Sequence, residues 1–152
     1  MMTFQKNIGM SIGGKKMNIN KYLEHIKKID SKIANKEYEA ETWRDIAEGL
    51  SGSNGGERVQ GSGEQQKLAE AVAKYTDIEE EIKYLKWEKD MFLERIEKLP
   101  EDCYNLMHDK YIKKISLKEI AQKNDRLYEW ATSKHSRAKR LLKEYIEGEN
   151  NG

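Results

Sequence analysis

The chain has 152 residues but only one proline, one cysteine and two phenylalanines. A lone cysteine, Cys103, rules out an internal disulfide and fits a reducing compartment. A lone proline, Pro100, leaves the rest of the sequence free of the residue that breaks helices. No apolar run approaches the ~20 residues that a membrane-spanning helix needs. No basic start, apolar middle and small-residue cleavage site mark a secretory signal, so the expected location is cytoplasmic. Net charge is nearly absent, at +1. What the chain does have is charge of both signs. Charged residues make up 36% against 37% hydrophobic, and with helix-period patterning this predicts an all-α protein with a thin core.

The residues of catalysis are scattered. His25, His108 and His135 lie far apart in sequence, and Cys103 has no cysteine or histidine at metal-ligand spacing. Cys103 therefore reads as a small apolar residue on a helix. Glu79, Glu80 and Glu81 fall on a charged helix exterior. "GSNGG" lacks both the Lys-Ser/Thr that follows a phosphate loop and a preceding strand. No enzyme, metal site or cofactor is expected.

The near-zero net charge conceals an asymmetry. Residues 1–103 hold 17 Lys/Arg against 20 Asp/Glu, whereas residues 104–147 hold 11 against 6. Within 126–143, Arg126, Lys134, Arg137, Lys139, Arg140 and Lys143 face only Glu129. Such a basic stripe is what a phosphate-backbone binder presents. A solvated helix face is the alternative for any charge run.

Residues 1–17 lack periodicity and read as a disordered leader. "GGKKM" at 13–17 looks like a translated ribosome-binding site ahead of a start codon, which makes Met17 the expected native start. Residues 19–48 predict a long helix, capped by Asn18 or Asn20 and ended by Gly49. Tyr22, Ile26, Ile29, Ile33, Lys36, Ala40, Trp43 and Ala47 recur along it at spacings of three and four, one apolar face with one charged interruption. Residues 49–63 hold six glycines and three serines and predict a flexible loop. A second helix over 64–99 carries Leu68, Val72, Tyr75, Ile78, Ile82, Leu85, Phe92, Ile96 and Leu99, with Lys89 interrupting the stripe. "DIEEEIKYLKWEKD" has the charge alternation of a coiled-coil exterior. Two striped helices joined by a loop predict an antiparallel hairpin over 18–99. The second helix is the longer, which leaves apolar surface for a homodimer through the long helices.

Pro100, Glu101 and Asp102 open a third helix, with Tyr104, Met107, Tyr111 and Ile112 expected inside. Ser116 and Glu119 then form a capping box before Ile120 and Ala121. A helix from Leu117 lasts seven or eight residues before Asn124-Asp125, both tolerant of a left-handed turn. The next helix opens at Arg126 or Leu127 and runs to about Glu147. Short helix, tight turn and basic second helix predict a helix-turn-helix within a 100–147 domain, followed by a disordered tail over 148–152. Leu127, Ala131, Ala138, Leu142 and Ile146 are expected on its buried side. Tyr128, Glu129, Thr132, Ser133, Ser136, Arg137 and Arg140 are expected on the outer side, where such groups read base edges and bind phosphates, with Arg126 and Lys139 as further phosphate contacts. Trp130 fits either the third helix or the edge of the DNA surface. A domain of this size buries little, so the 64–99 helix is expected to prop it.

From about residue 21 to 145 the sequence resembles ArpU-type phage transcriptional regulators, found in prophages of low-GC Gram-positive bacteria. The resemblance lies in "IDSKIANKEYEAETWRDIA", in "ERVQGSGEQQKLAEAVAKYTDIEEEI", in "IEKLPEDCYNLMHDKYI" with "SLKEIA", and in "HSRAKRLL". The last part also looks like the promoter-reading region of sigma factors. The chain departs from the family pattern at Asn124-Asp125, Ala131 and Lys134. The resemblance implies activation of late phage genes, such as those for packaging or lysis, in a bacterial host cell. It implies double-stranded DNA and host RNA polymerase as partners. It also implies that Arg58, Val59 and Gln60 dock on the hairpin or on a partner. Two other readings of the residues stand beside it: a small-terminase-type protein that recognises phage DNA for packaging, and a helical adaptor that binds no DNA.

Overall fold

The computed structural model describes residues 17–52 and 62–151, and all five of its elements are helices: α1 (Ile19–Gly52), α2 (Ser62–Ile96), α3 (Glu101–Tyr111), α4 (Leu117–Lys123) and α5 (Tyr128–Asn151). The protein is all-α, and α1 and α2 pack as a hairpin. The Arg58-Val59-Gln60 segment lies outside the described residues. Asn18 rather than Asn20 caps α1, its Oδ1 accepting from the Lys21 backbone N–H at 3.0 Å. Gly49 does not stop α1, which continues to Gly52, and α2 starts at Ser62. Gly49 is exposed, and a Cβ placed there would meet nothing within 4 Å outside its own helix backbone.

The described residues form two compact units, one of 17–29 together with 88–151, the other within Asp30–Trp87. The boundary falls inside both long helices rather than at 99/100.

In the 30–87 unit, Ile33, Ala40 and Ala47 of α1 and Ala71, Ile82 and Leu85 of α2 are buried. Val72 does not join the seam, at 37% exposed, because Ala71 occupies that level at 1%. Lys36, the charged interruption foreseen in the stripe, reaches Glu81 at 2.7 Å. Lys86 pairs with Glu37 at 3.5 Å, and Arg44 pairs with Glu79. Arg44 also lies over the Tyr75 ring at 5.4 Å, and Lys74 over Trp43 at 5.7 Å. These contacts set the antiparallel register.

The other unit gathers the start of α1, the end of α2 and all of α3, α4 and α5. Phe92 is fully buried, between Tyr22 at a ring distance of 6.2 Å and Tyr111 at 6.0 Å. Ile26, Ile29, Ile96, Leu106, Met107, Ile120 and Leu142 complete the core. Where periodicity showed Lys89 as the gap in the α2 stripe, the inward position is Glu88. It is 7% exposed and 2.7 Å from His25 Nε2. Arg95 reaches Glu149 at 2.9 Å and the Tyr22 hydroxyl at 3.1 Å. The Lys114 ammonium donates to the Lys27 carbonyl at 2.9 Å. Pro100 sits at the N-cap of α3, before its first turn. On α3, Met107 and Tyr111 are buried as expected, Tyr104 and Ile112 only half-buried. Cys103 and Leu106 are buried on the same inward face, Leu106 as expected of this domain's small core and Cys103 as the small apolar residue its isolation suggested.

Candidate nucleic-acid interface

The short helix α4 begins as its sequence dictates. Ser116 Oγ accepts from the Glu119 N–H at 3.1 Å, and Glu119 Oε1 accepts from the Ser116 N–H at 3.3 Å, a complete capping box. Seven residues later the chain turns without glycine. Asp125 takes the left-handed conformation at φ 57°, and the Arg126 N–H returns to the Ala121 carbonyl at 2.8 Å. The Asn124 side chain closes the turn by donating to the Ile120 carbonyl at 2.8 Å. Ala121 is 2% exposed, small enough for α4 and α5 to cross closely.

α5 opens at Tyr128, later than expected. Ala131, Ala138, Leu142 and Ile146 form its buried face, as the spacing requires. Leu127 does not. It is 76% exposed, and its carbonyl accepts from the Trp130 N–H at 2.9 Å. Leu127 precedes the first turn of α5, so the helical period that runs back from Ala131 no longer governs where it points. The structure thus adds an exposed apolar residue beside Tyr128, itself 54% exposed, and no sequence signal distinguished it from a core leucine.

Tyr128, Glu129, Ser133, Ser136, Arg137 and Arg140 are exposed, at spacings that place Glu129, Ser133, Ser136, Arg137 and Arg140 along one outward face of α5. Thr132 is half-buried, its hydroxyl donating to the Glu129 carbonyl at 3.1 Å.

The cations divide into two groups. Lys134 turns inward to Asp102 at 2.5 Å, and that hydrogen bond holds the Asp102 carboxyl below its ordinary range. Lys139 is half-buried and donates to Asn20 Oδ1 at 3.1 Å. Arg126, Arg137 and Arg140 are exposed. Arg126 lies over the Trp130 ring at 5.4 Å, with Lys134 at 5.9 Å, so Trp130 is a half-buried platform between two cations. Arg137 keeps one N–H on Cys103 Sγ at 3.3 Å, leaving its remaining donors for another partner.

A cleft of about 240 Å³ between α3, α4 and the start of α5 has Asp109, Lys123 and Trp130 in its lining. Asp109 is 6% exposed and accepts from Lys123 at 2.9 Å and Lys113 at 3.3 Å. Burial works to raise its carboxyl, but the two lysines together outweigh this and hold it below the ordinary value. Lys113 and Lys123 are thereby committed to α3 and α4.

Burial, with Asp102 beside it, pushes the Cys103 thiol up and away from thiolate chemistry. Among the described residues no group of three or more His, Cys, Asp or Glu is placed to hold a metal ion, and no helix is long and apolar enough to cross a membrane. No family model, curated protein or solved structure matches the chain.

Proposed function

We propose that the chain is a sequence-specific double-stranded-DNA-binding regulator of transcription, with α5 as its recognition helix. The observation that carries this reading is the outward face of α5, set behind a capped seven-residue helix and a tight turn. A helix of about 10–12 Å diameter fits a major groove about 12 Å wide. Arg137 and Arg140 supply bidentate donors for phosphate or guanine, while Ser133, Ser136 and Glu129 supply the short polar groups that read base edges. Leu127 and Tyr128 stand at the start of α5, where apolar contact with a thymine methyl group is made.

The resemblance to ArpU-type regulators supports the finer part of the proposal. On that reading the protein activates late genes of a phage or prophage in the cytoplasm of its bacterial host and touches host RNA polymerase as a sigma-like module would.

Selection of bound sequences from a random duplex pool, followed by titration of the enriched site at several salt concentrations, tests the proposal. An enriched motif with a steep salt dependence is expected, and Arg137→Ala with Arg140→Ala together should lower both affinity and slope. Failure to enrich any sequence leaves the helical adaptor as the reading. A ring of about eight or more subunits on phage packaging DNA would favour the small-terminase reading.

A further inference from the structure

On the 30–87 unit, one flank of the paired helices is not covered by other described residues. α1 presents Trp43, Ile46 and Leu50 there, with Ile46 42% exposed. α2 presents Lys67, Glu70, Lys74 and Asp77, and a groove of about 610 Å³ runs between the two rows. An apolar row with a charged row beside it suits several partners in principle. The order of the charges selects one.

Along α2 the four charges read plus, minus, plus, minus, at steps of three, four and three, so they lie on one face of the helix. Such a row matches itself when a second copy is laid against it antiparallel about a two-fold axis level with Val72. Lys67 then meets Asp77 of the other copy, and Glu70 meets Lys74, each pair occurring twice. A parallel copy in register would set each charge against its own kind.

The apolar row has its own centre of symmetry. Trp43 and Leu50 lie equally far from the midpoint between Ile46 and Ala47, so in an antiparallel pair Trp43 faces Leu50 and Ile46 packs beside its counterpart. These two centres, read from different helices, lie on neighbouring stretches of the hairpin. Lys74 lies over the Trp43 ring at 5.7 Å and Arg44 over the Tyr75 ring at 5.4 Å, which sets this part of α1 beside this part of α2. One two-fold axis across that stretch serves both rows. Among the described residues Lys67, Glu70 and Asp77 make no ion pair, which leaves them for a partner.

We infer that this flank is a homodimer interface, in which α1 and α2 pack antiparallel on α1 and α2 of a second copy to form a four-helix bundle. The two-fold contact is isologous and closes at two subunits. Apolar residues from Trp43 to Leu50 form its centre, and the α2 charges fix its register. The inference does not depend on DNA binding.

Sedimentation equilibrium of the full chain, with and without two charge reversals, tests it. The wild type should be a dimer at tens of micromolar. Glu70→Lys places two lysine pairs across the axis, and Lys74→Glu places two glutamate pairs there. Each variant alone should raise the dimer dissociation constant about tenfold or more, as attractive pairs become repulsive. An equimolar mixture restores every opposite-charge pair and should dimerise within about threefold of wild type. Helicity by circular dichroism checks that both variants stay folded, and any loss of fold within one chain cannot be repaired by mixing. Ile46→Glu provides a second route to a folded monomer. A monomeric wild type, a dimer indifferent to both reversals, a mixture no tighter than its components, or a higher ring overturns the inference.

Discussion

The phenol of Tyr111 and Nε2 of His135 share a hydrogen bond across α3 and α5 at 2.8 Å, with the two rings stacked at 27° and 5.9 Å. Burial pushes the Tyr111 hydroxyl up to about 12, so it keeps its proton. Burial, reinforced by Lys139 and Lys110, lowers the His135 ring to about 4, so it stays neutral.

A pH dependence follows. The unfolded chain binds a proton at His135 near pH 6.5, whereas the folded chain resists until about 4. The histidine's contribution to stability is therefore fully present above 6.5 and is lost as pH falls through that window towards 4. Thermal melts between pH 7 and pH 4.5 should show a falling midpoint. His135→Gln, which keeps an acceptor but cannot titrate, should flatten the fall. An equally steep fall in that variant would place the acid sensitivity elsewhere.

The turn between α4 and α5 offers a test of local coding. Ser116→Ala removes one partner of the capping box and should cost about 1 kcal/mol. Asp125→Val puts a β-branched residue at φ 57° and should cost more than ~1 kcal/mol, whereas Asp125→Gly should be close to neutral. Urea denaturation of the three variants checks the order. A valine variant as stable as wild type would mean that the turn relaxes to another conformation.

These turn residues were legible because short-range chemistry decides them: a serine three residues before a glutamate, then an asparagine and an aspartate. The α1 stripe was legible too, since Tyr22, Ile26, Ile29 and Ile33 each face the core at the spacing the helix imposes. Glu88 was not. A buried carboxylate looks like a surface residue until its partner is known, and His25 lies 63 positions away in sequence. Leu127 failed for the opposite reason, because an apolar residue just outside a helix borrows the helix's period on paper and not in space. The division of the cations was equally hidden. Nothing near Lys134 or Lys139 in sequence announces Asp102 or Asn20 as partners.

That division predicts unequal DNA contributions. Arg140 is exposed, and its replacement by alanine should lower the slope of log affinity against log salt by about one unit. Lys134→Ala and Lys139→Ala should leave the slope unchanged, because these ammonium groups already lie on Asp102 and Asn20. Titrations of one duplex at four salt concentrations would separate the groups. Equal slopes for all three variants would mean that α5 meets DNA by another face.

The last prediction concerns which part of the chain folds by itself. The helix-turn-helix residues from 100 onward share their core with both long helices. Phe92 and Ile96 of α2 and Tyr22, Ile26 and Ile29 of α1 are buried, and Phe92 packs its ring edge-on against Tyr111. Phe92→Ala should therefore cost about 3–5 kcal/mol. A 100–152 fragment, which lacks all five residues, should melt weakly and broadly. A chain that joins Ile29 to Glu88 and omits Asp30–Trp87 keeps the whole of that compact unit. The ends to be joined lie on paired helices, since His25 touches Glu88 at 2.7 Å. A glycine-serine linker of roughly eight residues spans such a gap at ~3.3 Å per residue. The joined chain should be helical, melt cooperatively and keep the same outward face of α5, yet be monomeric, because the proposed dimer flank has gone. If the 100–152 fragment melts as sharply as the joined chain, then α1 and α2 do not support the helix-turn-helix, and the burial of Phe92 serves the hairpin alone.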